Sequence, residues 1–285
     1  MKRLQDRAGW GKVYFCPTPL GNLKDITLRT LETLQTVDFV ACEDTRVTLK
    51  LLNYYQIKKP LFSYHKHNFK SASQKIIALT KEGRSIAVVS DAGTPGIQDP
   101  GAELIKLLIQ EEIAFEVLPG PSALILALVY SGFSDQKFLF LGFLPRNRKE
   151  RANLLKNALN SPYTVIIYEA PHRLINTLQE ILQIENRDTA LCRELTKYHQ
   201  EVLYGKTDEI LRSIGSNEQI KGEITLVLKG KEKAELETSI ESIERMVSLL
   251  QGKGLSNREI VTLVHEAFQI GRNKIKKLLE KEKTS

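Results

Sequence analysis

Two α/β domains with a cleft between them, followed by a small all-helical C-terminal module, are the architecture this sequence predicts. Three observations carry the prediction. Short β-branched runs alternate with helix-spaced apolar segments through residues 12–230, the pattern of sheets covered by helices. In the first half of the chain each such run ends in a loop stocked with Gly, Pro, Asp, His or Arg. Beyond residue 231 the apolar positions recur only at helical spacing. The length of 285 residues, with 42% apolar and 26% charged, suits a folded chain of more than one domain.

In the first domain, 12–132, strands are expected at 13–16, 39–42, 86–89 and 115–118, with a weaker one at 61–63. Helices are expected at 30–35, 45–54, 72–80 and 102–110, so the strands should lie parallel. Pro119-Gly120-Pro121-Ser122-Ala123 closes the last strand and opens a helix, with proline and serine suited to a first turn. The second domain, 133–230, offers strands at 138–143, 164–168, 190–193, 201–204 and 223–228, and helices at 148–159, 172–182 and 208–214. In the module, 231–285, Ile240, Ile243, Val247 and Leu250 share one helical face, and Gly252 and Gly254 break the helix. Ser256 with Glu259 forms a capping box for a second helix carrying Ile260, Leu263, Val264 and Ala267. Ile275, Leu278 and Leu279 mark a third, giving a helix-turn-helix-like unit.

Several function classes lose ground. The three cysteines are far apart and form no CxxC pair, which argues against a disulfide framework or thiolate zinc site and fits a reducing cytosol. Residues 1–7 lack the apolar core of a signal peptide, and no apolar run approaches the ~20 residues of a membrane span. The expectation is a soluble cytoplasmic protein. GxGxxG, Walker, HExxH and GxSxG motifs are missing, so NAD chemistry, NTP hydrolysis and triad hydrolysis lose weight. The net charge of +7 modestly favours a polyanionic partner. From Lys253 onward eight Lys/Arg face four Glu, and Arg272, Lys274, Lys276 and Lys277 cluster, as a solvated helix face or a phosphate contact.

The most informative stretch is Ser90-Asp91-Ala92-Gly93-Thr94-Pro95-Gly96, straight after the run 86–89. Open α/β sheets place ligands at the carboxyl ends of their strands. Glycines there admit a ligand to the backbone, and Asp91 can hold a hydroxyl or a cation, although an ordinary strand-to-helix turn is the rival. Pro19-Leu20-Gly21-Asn22, Glu43-Asp44-Thr45-Arg46 and Ser63-Tyr64-His65-Lys66-His67 follow other strands. With Pro119-Gly120-Pro121-Ser122-Ala123, all five loops would converge on one cleft.

These five segments resemble the motif series of the tetrapyrrole-methylase-like methyltransferases. The resemblance continues through Gly142-Phe143-Leu144-Pro145, Tyr168-Glu169-Ala170-Pro171-His172-Arg173, Cys192-Arg193-Glu194-Leu195-Thr196-Lys197 and Gly222-Glu223-Ile224. It implies a two-domain fold with S-adenosylmethionine in the interdomain cleft, a homodimer, and the 2′-hydroxyl of a cytidine in the decoding region of 16S rRNA as acceptor. Lys66 stands where the pattern has an acidic residue, and Gln98 and Ala170 each replace a serine. For the donor, the resemblance implies contacts from Asp91, Thr94, Pro95, Gly96, Gly120, Ser122 and Ala123. Pro19, Gly21 and Asn22 would close the pocket, and Tyr168 and Leu195 would wall the adenine.

Transfer to a hydroxyl calls for a proton acceptor. Glu43, Asp44 and His65 are the candidates, although Asp44 also reads as a helix N-cap or a partner for Arg46, and His65 as a phosphate contact. A metal site at His65 and His67 is disfavoured, because no carboxylate or cysteine completes it nearby. For RNA, Arg146, Arg148, Lys149 and Arg151, with the Arg272–Lys277 cluster, are the expected phosphate contacts. Phe69, Tyr64 and Tyr54 either stack a splayed base or belong to the core. The rival functions are methylation of a corrin-like macrocycle and catalytically silent RNA binding.

Overall fold

The apolar runs of the first domain pair as five parallel strands in the computed structural model, which describes residues 7–133, 137–215, 220–231, 240–268 and 270–281. They are β1 (Val13–Phe15), β2 (Phe39–Cys42), β3 (Leu61–Ser63), β4 (Ile86–Val89) and β5 (Phe115–Val117), in the order β3-β2-β4-β1-β5. Strand β4 is central and buried along its whole length. Because side chains alternate across a strand, Ile86 and Val88 join one apolar cluster while Ala87 and Val89 join the other. Helices α3 (Phe69–Lys81) and α4 (Gly101–Gln110) cover the first face, through Ile76, Leu104 and Leu108. Helices α1 (Leu28–Thr36) and α2 (Thr45–Tyr54) cover the second, through Leu34 and Leu52. Helix α1 starts earlier than its apolar spacing suggests because Thr27 caps it, its hydroxyl accepting the Thr30 amide at 3.2 Å.

Helix α5 (Ala123–Ser131) follows and is apolar all round. Leu124, Ala127 and Leu128 pack on Ile166, Ala190, Cys192 and Val227 of a second sheet. That sheet comprises β6 (Phe138–Phe143), β7 (Thr164–Glu169), β8 (Asp188–Arg193), β9 (Glu201–Lys206) and β10 (Ile224–Leu228). Its order is β6-β7-β10-β8-β9; among these described strands only β6 and β7 run parallel. Helices α6 (Arg148–Leu159), α7 (Leu174–Ile184) and α8 (Thr207–Ile214) cover its other face, with Leu155, Leu159, Leu178, Ile181 and Ile210 at the centre of the cluster.

By its contacts the chain divides into two compact units, Met1–Leu159 with Tyr163–Lys229, and Asn160–Pro162 with Gly230–Ser285. Both sheets belong to the first, and α5, which follows the last strand of the parallel sheet, packs on the other. The second unit is helical: α9 (Ile240–Gly252), α10 (Asn257–Phe268) and α11 (Arg272–Lys281) close around Ile243, Val247, Ile260, Val264, Ile275 and Leu279. Gly254, at φ +75°, turns the chain between α9 and α10. The capping box forms, Ser256 N–H donating to Glu259 Oε2 at 2.9 Å. The signal-peptide reading of the opening residues rests on 1–6, which lie outside the described residues. No described helix is long and apolar enough to cross a membrane.

Candidate active site

The loop after β4 leaves the middle of the parallel sheet's carboxyl edge and is stapled to its neighbours. Thr18 and Gly93 exchange backbone hydrogen bonds, both at 3.0 Å, joining the loops after β1 and β4. The Thr94 hydroxyl donates to the Pro121 carbonyl at 2.9 Å, adding the loop after β5. Within the loop the Asp99 carboxylate accepts the Gly96 and Gly101 amides at 2.7–2.9 Å. Gly96 sits at φ +97°, a conformation open to glycine at no steric cost.

These loops frame a cavity of about 440 Å³, within the range of small-ligand sites. The parallel sheet contributes Glu43, Asp91, Thr94, Asp99, Ser122 and Ala123 to its walls; the second sheet contributes Phe143, Tyr168, Glu169 and Glu223. Among the described residues five carboxylates line it, with no Lys, Arg or His, although Arg173 and Lys197 pair with Glu169 and Glu223 from outside the lining. The Asp91 carboxylate accepts the Asp44 amide at 2.9 Å, which ties the loops after β2 and β4. Partial burial, reinforced by the charges of Asp91 and Asp99, raises the Glu43 pKa above the usual carboxylate value. Partial burial raises Asp91 as well. Asp44 behaves in the opposite way. It caps α2 and is gripped by Arg46, which holds its carboxyl down at about 2.

From the second sheet, the Tyr168 hydroxyl accepts the Leu124 amide at the start of α5, at 3.0 Å. Its ring lies edge-on to Phe143, with centroids 5.7 Å apart. Gln98 Oε1 accepts the Phe143 amide at 3.3 Å. That contact needs Gly142, since a Cβ there would fall 2.1 Å from Gln98 Nε2. Beneath the cavity Glu169 is buried, accepting from the Thr177 hydroxyl at 2.6 Å and pairing with Arg173 at 3.3 Å. Arg173→Met, leaving that carboxylate without its cation, is expected to cost about 2–3 kcal/mol, a discounted value because Arg173 keeps some solvent contact. Urea unfolding checks it.

The expected site residues divide accordingly. Asp91, Thr94, Ser122, Ala123, Tyr168 and Glu43 line the cavity. Pro95, Gly96 and Gly120 shape its loops; a Cβ on Gly120 would meet the Pro17 side chain at 2.5 Å. Pro19 and Gly21 line an adjoining recess of about 240 Å³ that shares Leu20, Ser90 and Asp91 with the cavity. Asn22 caps a short turn, accepting the Lys24 amide at 3.1 Å. Leu195 is packed in the α5 cluster, off the cavity wall. The convergence of five loops is corrected to four. His65, after the outer strand β3, is not among the residues lining the cavity, and its Nδ1 accepts the His67 amide at 3.2 Å.

The aromatic and basic candidates divide too. Tyr64 is core, 2% exposed, its hydroxyl donating to the Pro100 carbonyl at 2.7 Å, and Phe69 packs on the same cluster. Tyr54 is exposed on α2. Arg151 is clamped by both oxygens of Glu180 and is not free for a phosphate, whereas Arg146, Arg148 and Lys149 are exposed. Arg272, Lys274, Lys276 and Lys277 are exposed on α11. Among the described residues no cluster of three His, Cys, Asp or Glu has the makings of a metal site. Sequence reasoning alone assigns no role to Glu169, Gln98 or Glu223. Glu169 and Glu223 fall within the motifs that carry the family resemblance, and the departure from serine at Gln98 is the signal there.

Fold and site together define a methylase of the two-lobed α/β class, and the sequence pattern of the Tetrapyrrole (Corrin/Porphyrin) Methylases matches residues 12–211. The structure of uroporphyrin-III C-methyl transferase from Thermus thermophilus, complexed with S-adenyl homocysteine, superposes with a TM-score of 0.55 at 16% identity, over 78% of this chain and 98% of that one. The ribosomal RNA small subunit methyltransferase I of Thermotoga maritima is 47% identical over 78% of this chain and 100% of its own. The protein of that name from Halalkalibacterium halodurans is 39% identical over 92% of this chain and 97% of its own. The chain belongs to the ribosomal RNA small subunit methyltransferase I family.

Proposed function

We propose that this protein transfers the methyl group of S-adenosylmethionine to small-subunit ribosomal RNA, onto the 2′-hydroxyl of a cytidine ribose in the 16S decoding region. The observation that carries the reading is the cavity's charge. Five carboxylates line it without a basic side chain among the described lining residues. Glu169 is paired with Arg173 and Glu223 with Lys197 from outside the lining. The remaining Glu43, Asp91 and Asp99 suit a ligand bearing a sulfonium and an ammonium, and repel the acidic side chains of a macrocycle. The first turn of α5, at Ser122 and Ala123, offers backbone amides to the donor's carboxylate or ribose oxygens. Tyr168 and Phe143 supply flat walls for adenine.

Bound there, S-adenosylmethionine supplies a methyl group already activated by its sulfonium. What remains for the protein is positioning and removal of one proton. Glu43 suits the proton transfer, because it faces the cavity and its raised pKa makes it a better proton acceptor than Asp44. As the carbon–sulfur bond breaks and the carbon–oxygen bond forms, the hydroxyl proton passes to the Glu43 carboxylate. Asp91 holds Glu43's loop in place through the Asp44 amide. Tritium transfer from labelled donor to small subunits, followed by mapping of ribose methylation, tests the reading; label on a base rather than a ribose would defeat it.

A homodimer working in the cytoplasm, where its acceptor resides, completes the proposal. Ile125 and Val129 on α5, with Tyr204 on β9, expose apolar surface that a second copy would cover. Sedimentation is expected to give a dimer, and Val129→Asp to shift it toward monomer.

A further inference from the structure

We infer that the C-terminal helical unit grips the sugar–phosphate backbone of RNA in a groove between α10 and α11, through Arg258, Arg272 and Lys276. Naming RNA as the polyanion rests on the methyltransferase reading above. The groove has a volume of about 720 Å³, with Val261 and Leu279 as apolar walls and Thr262 and Asn257 as neutral polar ones. All three cations are exposed, and among the described residues no carboxylate lines the groove. A groove with cations on both banks and neutral hydrogen-bonding groups between them is the surface that positions a nucleic-acid backbone without reading bases.

Helical geometry sharpens the assignment. Arg272 and Lys276 stand one turn apart and face the groove with Leu279, while Ile275 is turned into the core. Lys274 and Lys277 fall on the opposite face of α11, outside the groove. The four cations that cluster in the sequence therefore form two separate pairs, and Arg258, distant in sequence, completes the pair that matters. The capping box takes the Glu259 amide and sets the Glu259 carboxylate at the α10 amino end, so side-chain cations, not that helix end, supply the attraction.

The test uses the full chain and a transcript of the 16S decoding region, with fluorescence anisotropy across a salt series. The triple variant R258A/R272A/K276A is expected to lose tenfold or more in RNA affinity near 0.1 M salt. Its log-affinity against log-salt slope should shrink by about 2–3, since each phosphate contact contributes close to one. K274A/K277A should lose far less, and the charge-keeping R258K/R272K/K276R should bind like the parent, separating lost charge from lost folding. Equal losses in the two alanine variants, or none in the triple, overturn the groove. Tighter binding to duplex DNA of equal length overturns RNA as its occupant. Calorimetry with S-adenosylmethionine is expected to be unchanged in every variant. A parent protein that binds no donor refutes the methyltransferase reading, independently of the anisotropy result.

Discussion

Glu43→Gln is expected to lower kcat for methyl transfer by about 10²–10⁴-fold, the usual worth of a positioned general base, with little change in donor affinity. The substitution keeps shape and removes only the capacity to take a proton. The pH profile gives a second readout. Glu43 in the folded protein holds its proton above the usual carboxylate range, because burial comes first and the Asp91 and Asp99 charges add to it. Activity should therefore fall as pH drops through that raised value, and Glu43→Gln should erase this acid limb. The stability effect has the opposite sign. A carboxyl with a raised folded pKa costs stability in its ionised form, a cost present at neutral pH and absent below the unfolded value. The glutamine variant should melt at the same temperature as the parent or higher at pH 7. A variant that keeps its kcat, or an acid limb that survives the substitution, would remove Glu43 from the chemistry.

Asp91→Ala is expected to weaken S-adenosylmethionine binding by about 100-fold, within the range for lost hydrogen bonds to charged groups. Two losses combine in it. A negative charge leaves a cavity suited to a cationic donor, and the Asp44 amide loses the oxygen that anchors Glu43's loop. Asp91→Asn separates them, since its amide oxygen can still accept that N–H, and a smaller loss of about tenfold is expected. Isothermal titration of both variants decides the matter. Unchanged heats for the alanine variant would reject Asp91 as a donor-site residue, and equal losses in the two would show that charge alone counts.

Much of this site was legible because its signals are local. A β-branched run followed by Ser90-Asp91-Ala92-Gly93-Thr94-Pro95-Gly96 declares a buried strand and a loop that can approach a ligand, and the loop bonds to its neighbours through its own backbone. Capping is equally local: Thr27, Asp44 and Ser256 each bond within three residues. His65 was less readable, because whether its loop joins the cavity depends on how the loop turns after β3, which the strand order alone does not decide. Nothing near Arg151 reveals Glu180, 29 residues on, which takes its charge.

The amino-acid order alone determined which segments become strands, helices and ligand-facing turns, since hydrogen bonding and steric limits act between near neighbours. Tertiary structure decided which turns share a cavity. Pairing of β10 beside β7 brings Glu223 near Tyr168, and Gly142 admits Gln98 from the other lobe. It also decided that Arg258 joins Arg272 and Lys276 rather than Lys274 and Lys277. Those choices follow from strand order and from which faces bury apolar area, and such long-range packing has no counterpart in the spacing of neighbouring residues.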